Sequence, residues 1–279
     1  MTFDRLPKHL IFELTAKCNY RCPFCYCVWH EFPELAEPER DTAFWLSLLD
    51  RCAEYGINDI LFTGGEALLR PDLRELLTYA RKRQPNALFG LFTNTSLLTE
   101  EFLRFCRRKK ICLSTSLQGL STHGAMTGTR RRCFRTLEWI ARASELGWPM
   151  SVSLTATRAN RSEFLDMYCA AALSGAKSIQ LGTMMPEGRG RKNLELALTR
   201  NEWEELKSEI RSLPSHGVSY AFCDEQICEC RLQPEELLRK FRSPKHFCCK
   251  AGIDFGVIGP NGKFRKCLHT VDAIEIDLT

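Results

Sequence analysis

Six short apolar runs, each followed by a helix-like segment, constrain this chain more than any other feature. HLIFEL (9–14), INDILFTG (57–64), ALFGLFTN (87–94), ICLSTSL (111–117), PMSVSLTA (149–156) and KSIQLGT (177–183) read as strands. Their near-continuous apolar character fits a sheet covered by helices. Helical segments follow at about 41–55, 71–83, 99–108, 132–146, 161–174 and 200–212. Phe44, Trp45, Leu48, Leu49 and Cys52 give the first its buried stripe. Pro71 suits the first turn of the second. Thr99 caps the third, with Glu100 and Glu101 at the positive end of the helix dipole; Phe102 replaces the Glu or Gln of a full capping box. Alternating units of roughly this size imply parallel strands joined by right-handed crossovers. The sixth strand ends near Thr183, which leaves no room for eight units in this region. The expected class is α/β, as a partial barrel or an open sheet, with the chemistry at the carboxyl ends of the strands.

Composition narrows the class further. The chain has 279 residues, 44% of them hydrophobic, enough for one barrel with an appendage. No apolar run reaches ~18 residues, and the N-terminus lacks a signal-peptide pattern, so a cytoplasmic protein without membrane partners is expected. A net charge of +5 with interspersed signs gives no reason to expect nucleic acid. The unusual count is 15 cysteines. In a reducing compartment such thiols point to metal ligation, catalysis or plain packing.

Directly after the first strand stands KCNYRCPFCYC (17–27), in which Cys18, Cys22 and Cys25 are spaced Cys-x3-Cys-x2-Cys. Soft thiolates hold iron–sulfur clusters, one per iron. Three on one loop leave a fourth iron open for an outside ligand. A zinc site completed by Cys27 or His30, or three unligated thiols, are the competing readings.

The triplet, with Phe24 just before its last cysteine, resembles the signature of the radical S-adenosylmethionine (SAM) superfamily. Three further motifs follow in that family's order: Thr63-Gly64-Gly65-Glu66 ending the second strand, Thr93-Asn94 the third, and Ser116-Leu117-Gln118-Gly119 the fourth. Ala67 stands where the family usually has Pro, and Gln118 where it has Asp. The resemblance covers about 9–185 and implies a partial (β/α)6 TIM barrel. It implies a 4Fe–4S cluster on Cys18, Cys22 and Cys25, whose free iron takes the amine and carboxylate of SAM. One electron then cleaves SAM, and the resulting 5′-deoxyadenosyl radical abstracts hydrogen from the substrate. Candidate SAM contacts are Phe24, Gly64, Gly65, Glu66, Asn94, Ser116 and Gln118. On this reading the two glycines let backbone approach the ligand, and Glu66 accepts from the SAM ammonium. Arg130, Arg131 and Arg132 either neutralise its carboxylate or form a solvated helix start. Tyr26, Leu181 and Met184 are candidates for adenine or core packing. Cys52, Cys106, Cys112, Cys133 and Cys169 read as small apolar residues.

Beyond 187 the character changes. EGRGRKN (187–193) reads as a flexible linker, and IGPNGKFRKC (258–267) as a hairpin turning at Pro260-Asn261-Gly262. Twelve residues separate Cys249 from Gly262, and four separate Gly262 from Cys267. That spacing resembles the opening of the SPASM and twitch domains, which carry auxiliary 4Fe–4S clusters. The expected division is a barrel over 1–190, then a linker helix and a small Cys-rich SPASM/twitch-like domain over 191–279. Cys230, Cys249 and Cys267 are its candidate ligands, with Cys223, Cys228 and Cys248 nearby; four cysteines around zinc are the alternative. Full SPASM domains carry a later cysteine group, whereas 12 residues follow Cys267: either the domain is shortened, or the chain is a fragment, or upstream cysteines complete the cluster, and a compact twitch-like unit with one auxiliary cluster is expected.

The resemblance points to a peptide or protein substrate, modified by crosslinking or residue oxidation. A flavodoxin- or ferredoxin-type electron donor is implied. With no domain ahead of the barrel, a separate leader-binding protein is an expected partner. A dehydrogenase acting on a small molecule or haem precursor is the second reading, and a non-catalytic metal-cluster protein the third.

Overall fold

The computed structural model describes residues 6–130, 133–213, 217–223 and 250–276. Its strands are β1 (His9–Glu13), β2 (Asp59–Thr63), β3 (Leu88–Phe92), β4 (Ile111–Ser116), β5 (Ser151–Ala156), β6 (Ser178–Thr183), β7 (Ser219–Cys223), β8 (Phe255–Ile258) and β9 (Phe264–Arg265). They form one nine-stranded sheet in the order β7-β6-β5-β4-β3-β2-β1-β8-β9. Every pairing is parallel except β8 with β9. The helices are α1 (Thr42–Glu54), α2 (Leu73–Arg83), α3 (Glu100–Arg108), α4 (His123–Thr127), α5 (Phe134–Glu145), α6 (Phe164–Leu173) and α7 (Arg200–Ser212).

Strand alternation sorts the two faces. On β4, Ile111, Leu113 and Thr115 are buried, while Cys112, Ser114 and Ser116 lie on the other face. Cys112 is exposed, a correction to its expected apolar packing: its parity turns it away from the helices. Two core clusters underlie the sheet. One joins β1–β4 to α1, α2 and α3 through Phe12, Trp45, Leu76, Phe89 and Phe102. The other joins β5 and β6 to α6 and α7 through Leu154, Phe164, Leu181 and Trp203. Leu181 is therefore core, as is Cys52, and Cys106 is buried beside it; Cys133 is buried too.

Local signals held where they were strong. The Thr99 hydroxyl accepts from the Phe102 amide at the start of α3. Helix α2 starts at Leu73 rather than at Pro71, because the Asp72 carboxylate is engaged by Arg70 and Thr42. Strand β7 was not expected, and it exists by pairing with β6 from Ser178↔Ser219 to Gly182↔Cys223. The hairpin forms, but β8 also runs parallel to β1, with Phe12 opposite Ile258. Strands β8 and β9 thereby extend the same sheet beyond β1. Among the described residues no helix is long and apolar enough to cross a membrane.

Candidate active site at the carboxyl ends of the strands

The loop leaving β1 carries the cysteine triplet, and glycines let β2 press against it. Gly64 has φ +148°, and a Cβ there would meet the Thr15 carbonyl oxygen at 2.5 Å. A Cβ on Gly65 would sit 2.3 Å from the Lys17 carbonyl oxygen. The Gly65 amide donates to Thr15 (2.7 Å) and the Glu66 amide to Lys17 (2.8 Å). The close approach that needs glycine is therefore to the stem of the cysteine loop. Glu66 is 1% exposed. Its carboxylate accepts from the Leu68 amide (3.0 Å), the Thr93 hydroxyl (2.8 Å) and the Asn94 amide (2.7 Å). Burial pushes its carboxyl upward, against the pull of those bonds. The Asn94 amide nitrogen donates to Asn19 (2.8 Å), and its oxygen accepts from the Ser96 amide (2.9 Å). Asn19 in turn donates to Ser96 (2.7 Å), so the third strand end also grips the loop beside Cys18.

The far flank of the loop is gripped by segments the sequence reading had left aside. The Arg21 amide donates to the Thr127 carbonyl (2.9 Å), and Gly128, with φ +63°, lies against the Arg21 backbone. Residues 187–193 are not a free linker. Gly188 and Gly190 are buried in a tight turn, and a Cβ on Gly188 would meet the Cys27 carbonyl oxygen at 2.5 Å. The Gly190 amide donates to Cys25 (3.3 Å) and the Asn193 side chain to Pro23 (3.1 Å). Glycine here serves close approach rather than freedom. Phe24 is buried with Met126 and Met184, against Cys22. Tyr26 is partly exposed and meets the His269 ring edge-on, with centroids 5.2 Å apart.

Cys18, Cys22 and Cys25 are half-buried and Cys27 is buried. Burial, then the neighbouring Cys25 and Cys18, push the Cys22 thiol up to about 12. Burial likewise raises Cys18. A hydrogen bond from Cys27 lowers Cys25, and the same contact raises Cys27. Thiols that oppose one another's ionisation need a cation to become ligands together, which is what iron supplies. Among the described residues no three His, Cys, Asp or Glu side chains converge on a single-ion site. A cube is a different demand, since each thiolate takes its own iron.

At the end of β4 the arrangement is looser. Ser116 is half-buried. Gln118 is 7% exposed, and its side-chain oxygen has no hydrogen-bond partner among the described residues. The turn that follows is held by Glu163, which sequence reading missed. Its carboxylate accepts from the Leu120 (2.8 Å), Ser121 (2.9 Å) and Thr122 (3.2 Å) amides, from the Ser121 hydroxyl (2.7 Å) and from the Thr122 hydroxyl. Burial works against the charge, but these bonds bring the Glu163 carboxyl down to about 2. Asn160 donates to the Gln118 carbonyl (3.0 Å) from the same side. Arg130 is exposed, and Arg131 and Arg132 lie outside the described residues.

Of the candidate auxiliary ligands, Cys230 and Cys249 lie outside the described residues, as do Cys228 and Cys248. Cys267 is buried, its sulfur 3.5 Å from the His269 ring Nδ1. Two residues before it, at the end of β9, stands a constellation no motif announced. Arg265, 1% exposed, pairs directly with Glu13, whose carboxylate also accepts from the Trp29 indole (2.9 Å). Burial drives the Glu13 carboxyl up, and Arg265 opposes that shift.

Residues 12–168, more than half of the chain, match the sequence model described as the radical SAM superfamily. A PqqA peptide cyclase of Gluconobacter oxydans is 32% identical over 224 residues, covering 78% of this chain and 61% of that protein. An AdoMet-dependent heme synthase of Nitratidesulfovibrio vulgaris is 26% identical, covering 71% of this chain and 54% of that protein. The chain thus spans less than two thirds of the length of these relatives. Among solved structures, Streptococcus suis SuiB bound to its precursor peptide SuiA superposes with a TM-score of 0.68 at 16% identity, over 95% of this chain and 60% of that one, and so shares the fold. With more than half of its residues matched by that model, the chain belongs to the radical SAM superfamily.

Proposed function

We propose that the chain is a radical SAM enzyme acting on a peptide or protein. Membership of the family implies SAM and a 4Fe–4S cluster. The observation that carries the reading is the cysteine loop itself: its three thiols are held at the strand ends by backbone contacts that tolerate only glycine. Cys18, Cys22 and Cys25 would hold the cluster. When bound, it supplies the electron that cleaves SAM and so generates a radical able to take hydrogen from the substrate.

The chain's own residues orient the partners. Phe24, with Met126 and Met184, gives an apolar wall beside Cys22. The lip from Gly64 to Glu66, with Asn94, offers the rigid backbone edge. Ser116 at the end of β4 and Gln118 just after it would hold the ribose, and a buried, unpartnered amide oxygen is a ready acceptor for a ribose hydroxyl. Glutamine can fill that role as the usual aspartate does. Cys267, with Cys230 and Cys249, is the proposed ligand set of an auxiliary 4Fe–4S cluster. The peptide substrate is supported by the cyclase relative, and a flavodoxin- or ferredoxin-type donor and a separate leader-binding protein complete the proposal. The heme synthase relative favours a second reading, a small-molecule dehydrogenase.

Anaerobic reconstitution tests the first step. About four irons and sulfides on the loop, about eight with the auxiliary cluster, are expected. SAM cleavage under dithionite should accompany them and vanish in Cys22→Ala. A colourless, iron-free protein holding stoichiometric zinc would overturn the proposal. Incubation with short peptides encoded beside the gene, read by loss of two hydrogens, separates the two substrate classes.

A further inference from the structure

The buried cation at the base of the C-terminal hairpin has no place in the family motifs, yet it touches both ends of the cysteine loop. Glu13 closes β1 immediately before that loop. Trp29 lies just after Cys27, and Cys25 packs against the same apolar cluster as its indole. Arg265 pairs with Glu13 through one nitrogen, donates through another to the Leu268 (3.3 Å) and Thr270 carbonyls, and lays its guanidinium 4.3 Å from the centre of the Trp29 ring. Its Nε has no hydrogen-bond partner among the described residues. The pair is almost fully desolvated, with side chains 0% and 3% exposed. A desolvated charge keeps a long electrostatic reach, because little water screens it. Burying such a pair is a poor way to gain stability, since an apolar replacement of similar volume often does as well. An electrostatic role explains it better: charge and burial near a cluster are recognised levers on its reduction potential.

We propose that Arg265 is a positioning residue for the loop cluster: it pins both ends of the cysteine loop and, by balancing the Glu13 carboxylate, sets the potential at which the cluster accepts its electron. The proposal rests on the radical SAM reading of the loop. It makes the C-terminal hairpin part of the SAM site, whatever cluster Cys267 itself holds.

The test is a redox titration of the reconstituted full chain, followed by the electron paramagnetic resonance signal that changes when SAM is added. Burial raises the Glu13 carboxyl, so the titration is run at alkaline pH to keep it ionised; in Arg265→Met the uncompensated carboxylate then opposes reduction. The ratio of reduced to oxidised cluster at the wild-type midpoint should fall at least tenfold, about 59 mV for a one-electron couple. Glu13→Gln leaves the cation unbalanced and should raise that ratio at least threefold. The double variant should return to within about twofold of wild type, and Arg265→Lys should stay near it. Shifts of the same sign in Arg265→Met and Glu13→Gln, or no shift in either while iron stays bound, would overturn the proposal. If Arg265→Met fails to fold, the upward shift of Glu13→Gln and the neutrality of Arg265→Lys carry the same decision. Wild-type protein without iron and sulfide would instead overturn the radical SAM reading, and iron content separates the two failures.

Discussion

The ends of β2 and β3 and the end of β4 both carry candidate SAM contacts, yet they are built in opposite ways. On the β2–β3 side the polar groups are spent on one another and on the cysteine loop. Glu66 accepts three hydrogen bonds from protein, and Asn94 uses both ends of its amide. On the β4 side the Gln118 oxygen is buried with no partner among the described residues. A satisfied, dry network is rigid, whereas an orphaned acceptor is costly until something fills it. The first side therefore acts as scaffold for the thiols, and the second holds capacity for a ligand.

Substitutions should break the two sides differently. The largest effect is expected at Gly65. A Cβ 2.3 Å from a backbone oxygen cannot be relieved by a side-chain rotation, so Gly65→Ala should cost roughly 3 kcal/mol or more and abolish iron uptake. Gly147 is the control. It has φ +67° but nothing within 4 Å of its would-be Cβ, so Gly147→Ala should cost only about 1 kcal/mol and leave iron content unchanged. Chemical denaturation and iron assays read both. Equal losses would mean that the chain relaxes around the added methyl and that contact with the loop does not give Gly65 its importance.

Glu66→Gln comes next. The amide must aim a donor at one of the three groups that now donate to the carboxylate, and this buried mismatch should cost about 2 kcal/mol. Because the Asn94 link runs on to Asn19, iron uptake should slow as well. An iron-replete Glu66→Gln protein of wild-type stability would remove Glu66 from the scaffold.

What could be read from the sequence follows from how far each signal reaches. Strands β1–β6 announce themselves, since each is an apolar run bounded by turn residues. Strand β7 carries a comparable run, VSYAFC (218–223) after Gly217, but Cys223 groups the segment with the cysteine-rich stretch that follows and so hides it. The parallel pairing of β8 with β1 joins residues some 250 apart, and no local pattern encodes it. The alternation along β4 did encode Cys112: standing between Ile111 and Leu113, it had to face away from the helices. Gly188-Arg189-Gly190 was misread because glycine for freedom and glycine for contact look alike in composition. Glu163 stayed hidden because its partners lie 41–43 residues upstream.

Glu163 gives the comparison a pH axis. Its carboxyl is lowered in the folded chain, from 4.5 to about 2, by the turn it holds. The stability it adds is thus present above its unfolded value and lost as pH falls from about 4.5 toward 2. With partial exposure discounted, that is about 2 kcal/mol. Glu163→Gln should flatten this part of the acid limb of a stability curve while costing stability at neutral pH. An unchanged acid limb would show that the turn after β4 does not depend on the charge.

The smallest expected effect is also the most discriminating. Gln118→Leu removes an acceptor that is buried and unpartnered in the ligand-free chain, so stability without SAM should hold or rise by up to about 1 kcal/mol. If the oxygen receives a ligand hydroxyl, the same change removes one hydrogen bond from the complex, weakening SAM binding by about 3- to 10-fold. Iron content should not move, because the Gln118 oxygen makes no hydrogen bond to the cysteine loop. Scaffold residues cannot give this pattern: at Glu66 or Gly65 stability and binding must fall together, since the loop that binds is the loop that is held. Opposite signs in a thermal melt of the free protein and in a SAM titration would therefore separate a ligand contact from a structural one. Parallel losses at Gln118 would erase the difference between the two sides and make the β4 end part of the same scaffold.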